Sequence, residues 1–524
     1  MAELEREEEQ RREITRRTFL KLMSGLGLAG VAVLSGGCLK PLAEQVGGEG
    51  WLPPRYGTPD IRPDQIRGKV SINKDDPALV VDDRLCDLCG RCVEACHKVQ
   101  SVFGYYQLPI KDEVICVHCG QCALACSPGA IRERDDTAQV EEWLRDPSKF
   151  VVVQTAPATR VSLGEEFGLL PGTWVAGQQV AALRRLGFDA VMDTNFTADL
   201  TIMEEATELI KRVKGECPQP LPLITSCSPG WIKFCEYFYP ELLPHLSTCK
   251  SPQQMFGALV KTYYAKVMGL DPENIVSVSI MPCTAKKFEA KRPEMNSSGI
   301  YWGKPEIRDV DAVLTTRELA RMLKKSGLHL ATLPAEEYNS LMGESTGAAT
   351  IFGATGGVME AAVRTFYFFV TGEAPPPQLM ELTPVRGLTG VKEGKLTIPG
   401  VGQVQVAVAH GLANARVVLE AVKAGQAPWH FIEVMACPGG CIGGGGQPKT
   451  VVPPSDEVRQ QRIAALYEAD AQMAKRESHE NAELAALYQN FLGHPSSKLA
   501  HELLHTKYYS RADKLVRVEP AGRS

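Results

Sequence analysis

A chain of 524 residues, 44% of them apolar and 23% charged, is long enough to bury substantial cores and to form roughly two to four domains. Its formal net charge of −5 excludes an electrostatic nucleic-acid binder and a protein strongly drawn to membrane surfaces. Sixteen cysteines fall in clusters and motifs instead of being dispersed, which favours metal ligation over a disulfide framework.

At the amino terminus, Arg16-Arg17-Thr18-Phe19-Leu20-Lys21 precedes a glycine-containing apolar run over 22–34. Paired arginines before a weakly hydrophobic segment form a twin-arginine export signal, assigned to residues 1–45. The run is shorter than the roughly 20 residues that cross a bilayer, and Gly25, Gly27 and Gly30 interrupt it. Cys38 suggests lipidation, but Ser35 stands where a lipoprotein box wants an aliphatic residue. The twin-arginine translocase carries folded proteins, so a cofactor inserted before transport and a periplasmic or extracytoplasmic location are expected. A Pro/Gly-rich linker, 46–74, follows.

Residues 75–135 contain two cysteine runs of one spacing: Cys86, Cys89, Cys92, Cys96 and Cys116, Cys119, Cys122, Cys126. Each reads C-x₂-C-x₂-C-x₃-C, and Pro128 follows the last cysteine by two residues. This is the pattern of a bacterial two-cluster ferredoxin, in which the fourth cysteine of each run ligates the other cluster. One [4Fe–4S] cluster is then expected on Cys86, Cys89, Cys92 and Cys126, the other on Cys116, Cys119, Cys122 and Cys96. Paired zinc sites are the bland alternative, and the repeated four-cysteine run argues against them. The module should carry electrons one at a time.

Beyond a charged stretch at 135–149, Phe150-Val151-Val152-Val153 has the character of a buried strand. Strand-like and helix-like segments alternate from there to 454, including the strand 276–280 and a helix over 201–213, which implies α/β architecture with largely parallel sheets. From 455 onward, to 524, helical periodicity dominates, and the segment is expected to wrap the main body. Three apolar runs end directly at cysteines: 221–225 before Cys227, 278–282 before Cys283, and 431–435 before Cys437 and Cys441. Ligands of open α/β sheets gather outside the carboxyl ends of strands, so all three should deliver thiols to one crevice. Inert buried cysteines are the bland reading for any one of them. Cys437-x₃-Cys441 amid Gly439, Gly440 and 443–446 favours a bulky anionic cofactor, because glycines admit close backbone approach and their N–H groups can donate to it.

Thr225-Ser226-Cys227-Ser228-Pro229-Gly230-Trp231, Met281-Pro282-Cys283-Thr284-Ala285-Lys286-Lys287-Phe288-Glu289 and Glu433-Val434-Met435-Ala436-Cys437-Pro438-Gly439-Gly440-Cys441-Ile442-Gly443-Gly444-Gly445 resemble the three signature motifs of [FeFe] hydrogenases. Ile351-Phe352-Gly353-Ala354-Thr355-Gly356-Gly357 and Ser478-His479-Glu480-Asn481 are similar to further family segments. The resemblance covers about 75–510, with a small-subunit-like carboxyl terminus fused to the large subunit. It implies a two-lobed α/β domain holding an H-cluster: a [4Fe–4S] cube joined through one cysteine sulfur to a diiron centre with CO, cyanide and azadithiolate.

By that resemblance Cys441 bridges cube and diiron centre, while Cys283 and Cys437 hold the cube. Lys286 donates to a cyanide, and Met281 and Met435 pack around the diiron unit. Cys227, Glu205, Ser247, Glu208 and Arg212 match the family's proton route. Taken alone, the spacings of Glu205, Glu208 and Arg212 describe only a helical salt-bridge face.

One departure stands out. The family commonly has Cys-Cys before the proline, and this chain has Cys227-Ser228. The fourth cube ligand therefore stays open among Cys227, Ser228 and Cys249. The implied reaction is the reversible conversion of H₂ into two protons and two electrons. Export suggests H₂ uptake, with electrons leaving through two [4Fe–4S] clusters to a ferredoxin- or cytochrome-like carrier or a membrane acceptor. Dedicated maturases are required as assembly partners. Rival readings are a sensory or low-activity homologue and the non-catalytic iron–sulfur assembly factor of the same fold, which typically lacks the Lys286 and glycine-rich features.

Overall fold

The computed structural model describes residues 68–106, 114–449 and 455–515. The export signal, Cys38 and most of the linker lie outside them. The cysteine-rich region begins with strand β1 (Leu79–Val81), which pairs antiparallel with β2 (Ile131–Glu133). Between them, short helices start at Arg91 and Gln121, each introduced by a left-handed glycine, Gly90 at φ 79° and Gly120 at φ 71°. The glycines let the chain turn from each Cys-x₂-Cys loop directly into a helix carrying the next cysteine.

Two four-stranded sheets form the body. In the first, β3 (Phe150–Thr155), β4 (Ala190–Asp193), β6 (Ile275–Met281) and β7 (Ala312–Thr315) run in the order β4-β3-β6-β7, all parallel. Its central strands read as continuous apolar or small-residue runs because both faces are covered; all seven residues of β6 are buried. In the second, β5 (Leu223–Ile224), β8 (Val391–Ile398), β9 (Gly402–His410) and β10 (Phe431–Met435) run in the order β5-β10-β9-β8. Here β5, β10 and β9 are parallel, and β8 closes the edge as an antiparallel hairpin with β9. Along β8, Lys392, Gly394, Leu396 and Ile398 are buried while Glu393, Lys395 and Thr397 are exposed, the period-two pattern of a strand with one wet face. The expected two α/β lobes with mainly parallel sheets are present.

The helix expected over 201–213 begins seven residues earlier, spanning Thr194–Val213, with the Asp193 carboxylate capping Asn195 N. Thr194, Asn195 and Thr197 are poor helix formers, so propensity hides this start. Tertiary contacts supply it: Thr197 Oγ1 donates to Pro252 O at 2.8 Å, and buried Arg160 pairs with Asp193.

In the carboxyl-terminal segment, the helix Asp456–Gln472 is fixed to the helix Gly357–Thr371 through Arg364. That fully buried guanidinium donates to Asp470 Oδ1 and Oδ2, both at 2.9 Å, and to Glu360 Oε1 at 2.6 Å. Arg364→Met would leave Asp470 with only Arg476 and Glu360 with only Arg386, an expected loss of about 3 kcal/mol, at the low end for a broken buried pair. Urea unfolding followed by circular dichroism should show a lower midpoint at an unchanged slope.

Candidate active site

Three strand ends do converge. The carboxyl ends of β5 and β10 in one sheet, and of β3 and β6 in the other, border a single cavity of about 850 Å³. Cys283 reaches it from the first sheet; Cys227, Ser228, Cys437 and Cys441 reach it from the second. Met281, Met435, Phe352, Pro157 and Ala198 make most of the remaining wall apolar. Parallel strands aim their following loops at one edge, which brings ligands distant in sequence together.

Sulfur is concentrated within electrostatic reach. Cys283 acts on both Cys437 and Cys441. Burial pushes the thiols of Cys283, Cys437 and Cys441 above their ordinary value, while the Ala285 and Lys286 N–H groups at Cys283 work the other way. A neutral thiol set of this kind suits soft cationic iron, which supplies the charge that thiolates need. Glycine crowding shapes the loop: a side chain at Gly444 would meet Pro282 O at 2.2 Å, one at Gly445 would meet Cys119 O at 2.2 Å, and Gly440 needs φ 94°. Three thiols, two further candidate donors and a largely apolar wall fit a cube plus a diiron group.

Cys227 and Ser228 occupy different sides. The charged groups acting on Cys227 are Glu205 first, then Lys286, Cys441 and Glu433. Ser228 Oγ instead accepts from Ala436 N at 3.2 Å, beside Cys437. Cys249 is fully buried but is not among the residues lining the cavity. It packs in the core with Met255 and Phe256. Lys286 lines the cavity; its Nζ donates to Cys227 O at 3.0 Å and to Glu289 Oε2 at 2.9 Å. Lys287, which sequence context makes a surface residue, is instead buried and paired with Asp136 and Glu318.

Leading away from Cys227, the Thr194–Val213 helix brings Glu205, Glu208 and Arg212 to one buried face. Burial pushes the Glu205 carboxyl up to about 8 against the pull of the Ser247 hydroxyl, and its Oε2 has no hydrogen-bond partner among the described residues. Ser247 Oγ lies 3.5 Å from Glu208 Oε2, and Arg212 holds Glu208 Oε1 from Nε at 3.1 Å and Nη2 at 2.5 Å. Glu205, Ser247, Glu208 and Arg212 are thus linked in series, and Cys227 lies within electrostatic reach of Glu205.

The cysteine-rich region abuts the same cavity. Cys119 is part of its wall and lies within electrostatic reach of Cys437. Among the eight cysteines, Cys92 is influenced by Cys126 and Cys89, and Cys96 by Cys116. Gln100 Nε2 donates to Ala436 O at 3.0 Å and Gln121 Nε2 to Gly443 O at 2.9 Å, tying the region to the Cys437 loop.

Sequence reasoning missed Glu433. Its carboxylate, buried within β10, accepts from Gly356 N at 2.6 Å and Met359 N at 2.8 Å, anchoring the helix start that follows the Phe352–Gly353 wall. An acidic residue at the centre of Phe431-Ile432-Glu433-Val434-Met435 was the available signal, because a buried carboxylate needs partners.

Comparison with known proteins gives concordant results. Residues 149–445 match the iron-only hydrogenase large subunit, C-terminal domain, and residues 456–511 match the iron hydrogenase small subunit. The NADP-reducing hydrogenase subunit HndD of Solidesulfovibrio fructosivorans is 47% identical over 84% of this chain and 76% of its own. The periplasmic [Fe] hydrogenase large subunit of Nitratidesulfovibrio vulgaris is 51% identical over 63% of this chain and 75% of its own. A solved structure of Chlamydomonas reinhardtii [FeFe]-hydrogenase HydA1, variant E141A, aligns with a TM-score of 0.64 at 42% identity, covering 72% of this chain and 99% of that one. A cytosolic iron–sulfur assembly component 3 from Pongo abelii matches at 35% identity over 69% of this chain and 75% of its own.

Proposed function

The chain belongs to the iron-only, or [FeFe], hydrogenase family, and on that premise we propose that it is an exported hydrogenase oxidising H₂ to protons and electrons. The observation that carries this reading is the convergence of Cys283 from one sheet and Cys437 and Cys441 from the other on an apolar cavity that Lys286, Met281 and Met435 also line. Cys283, Cys437 and Cys441 would hold the H-cluster, and Ser228 Oγ, on the Ala436 side, would be the fourth ligand to its cube. The bound group supplies the redox chemistry by which H₂ is split or made.

The protein's own residues then do the rest. The wall of Met281, Met435 and Phe352 excludes water. Lys286 brings a compact cation held by Glu289, placed to donate to an anionic diatomic ligand. Cys227 holds and releases a proton towards Glu205, whose raised carboxyl can carry one near neutral pH. Ser247 and Glu208 continue the chain of donors. Cys86, Cys89, Cys92 and Cys126 would hold one [4Fe–4S] cluster and Cys116, Cys119, Cys122 and Cys96 a second, and these groups would supply one-electron transfer to a ferredoxin- or cytochrome-like carrier or a membrane acceptor.

The paired arginines at 16 and 17 support export by the twin-arginine translocase after maturases have inserted the cofactor, and a periplasmic relative is in keeping with it. Uptake is the direction an exported enzyme serves best. Likeness to an assembly factor leaves a non-catalytic reading as the alternative, at lower identity than the hydrogenases. Protein co-expressed with hydrogenase maturases should reduce a viologen dye under H₂. A maturase-loaded preparation with intact iron–sulfur clusters and no dye reduction would leave the assembly or sensory reading.

A further inference from the structure

The expected proton route ends at Arg212, and Arg212 makes a poor exit. Its side chain is fully buried, and its donors are spent on Glu208 and on the carbonyls of Pro220, His245 and Leu246 at 2.9, 3.0 and 2.7 Å. A guanidinium does not release its proton in proteins. Arg212 therefore positions Glu208 and passes nothing on.

Glu208 has a second neighbour that leads outward. Its Oε2 accepts from Thr248 Oγ1 at 2.9 Å, and Thr248 Oγ1 lies 2.8 Å from Nδ1 of His505. Thr248 is half-buried, and His505 is 8% exposed. An antiparallel backbone bridge between Cys249 and His505, with Thr506 N donating to Thr248 O at 2.8 Å, pins the pair in register. On its other side, His505 Nε2 lies 3.1 Å from Glu204 Oε2. Glu204 already accepts from Tyr488 Oη at 2.6 Å and Ser496 N at 2.7 Å, so it takes the Nε2 proton of His505 as a hydrogen bond and leaves Nδ1 facing Thr248. Exposed His501 lies against His505 with ring centroids 4.6 Å apart and the planes tilted by 37°. Glu204, Glu208, His501, Tyr488 and Cys249 are thus the titratable groups around His505, with Lys211 acting on His501.

We propose that Thr248 and His505 form the outer end of the proton route, so that the carboxyl-terminal segment supplies the group through which Glu208 exchanges protons with water. In the oxidative direction the proton on Glu208 moves to Thr248 Oγ1 as the Thr248 hydroxyl proton moves to Nδ1 of His505. Nε2–H stays on Glu204. The imidazolium then gives its Nδ1 proton to water at the half-exposed Thr248 edge, which restores the neutral ring. One proton leaves Glu208 and one enters solvent; evolution of H₂ runs the same transfers backwards.

The inference rests on the hydrogenase reading above, and the test separates the two. Holoenzyme carrying Thr248→Val should oxidise H₂ at least about tenfold more slowly with a larger solvent isotope effect, and Thr248→Ser should restore both. His505→Ala should be slow and regain rate with added imidazole, which a merely structural histidine would not do. Infrared bands of metal-bound CO and cyanide should be unchanged in every variant. Independently of turnover, NMR of nitrogen-labelled histidine should show Nδ1 of His505 losing its hydrogen bond in Thr248→Val and keeping it in Thr248→Ser. Thr248→Val within twofold of wild type with an unchanged isotope effect would overturn the proposal, as would an unchanged His505 Nδ1 signal in that variant. If His505→Ala does not fold, the Thr248→Val and Thr248→Ser pair decides. Wild type that carries the bands without turning over would sink the hydrogenase reading instead.

Discussion

Replacing Cys227 by alanine is expected to slow H₂ turnover by at least about a hundredfold while leaving iron content and diatomic-ligand infrared bands intact. The expectation follows from which side of the cavity each group occupies. Burial acts most strongly on Cys227, and Glu205 comes first among the charged groups around it, whereas Ser228 is fastened beside Cys437 through Ala436 N. On the proposed reading the Cys227 thiol would move protons and the Ser228 hydroxyl would complete the cube. Ser228→Cys should accordingly keep turnover and change the paramagnetic signature of the reduced cube, since sulfur replaces oxygen in its coordination. Loss of iron in Cys227→Ala, with iron retained in Ser228→Ala, would reverse the assignment.

Glu205→Gln is expected to lower turnover by about a hundredfold or more, with cofactor bands again preserved. Glutamine keeps the shape and cannot carry the proton between Cys227 and Ser247. The same substitution has a stability signature. Burial raises the folded carboxyl from 4.5 to about 8, so across that window the folded protein binds more protons at this site than the unfolded chain. Stability from this group is present below 4.5 and is lost as pH rises towards 8. Urea midpoints of Glu205→Gln should therefore gain on wild type between acidic and mildly alkaline pH. A constant difference across that range would mean that the carboxyl titrates normally.

The sequence exposed the chemistry well because ligands are tied to strand ends. Runs of Val and Ile end at Cys283 and Cys437, and parallel strands then bring them together with little freedom. The expected proton route came only from family registration; spacing alone makes Glu205, Glu208 and Arg212 a solvated helix face, and the structure buries all three. What the sequence hid was long-range. Nothing local joins Thr248 to His505, 257 residues away. Lys287 looked like a surface residue beside Lys286 because its partner Glu318 lies on another helix. The Thr194–Val213 helix began earlier than its residue types suggested, because contacts to Pro252 and Arg160 outweigh propensity. Cys249 shared a motif with Ser247, yet its thiol belongs to a core and not to the cavity wall.

The most direct measurement is infrared spectroscopy of the protein co-expressed with hydrogenase maturases, with H₂ turnover assayed on the same sample. Bands of metal-bound CO and cyanide are expected together with turnover. A preparation proven to contain all its iron–sulfur clusters, yet giving no such bands, would contradict the diiron site and the roles assigned to Cys441 and Lys286.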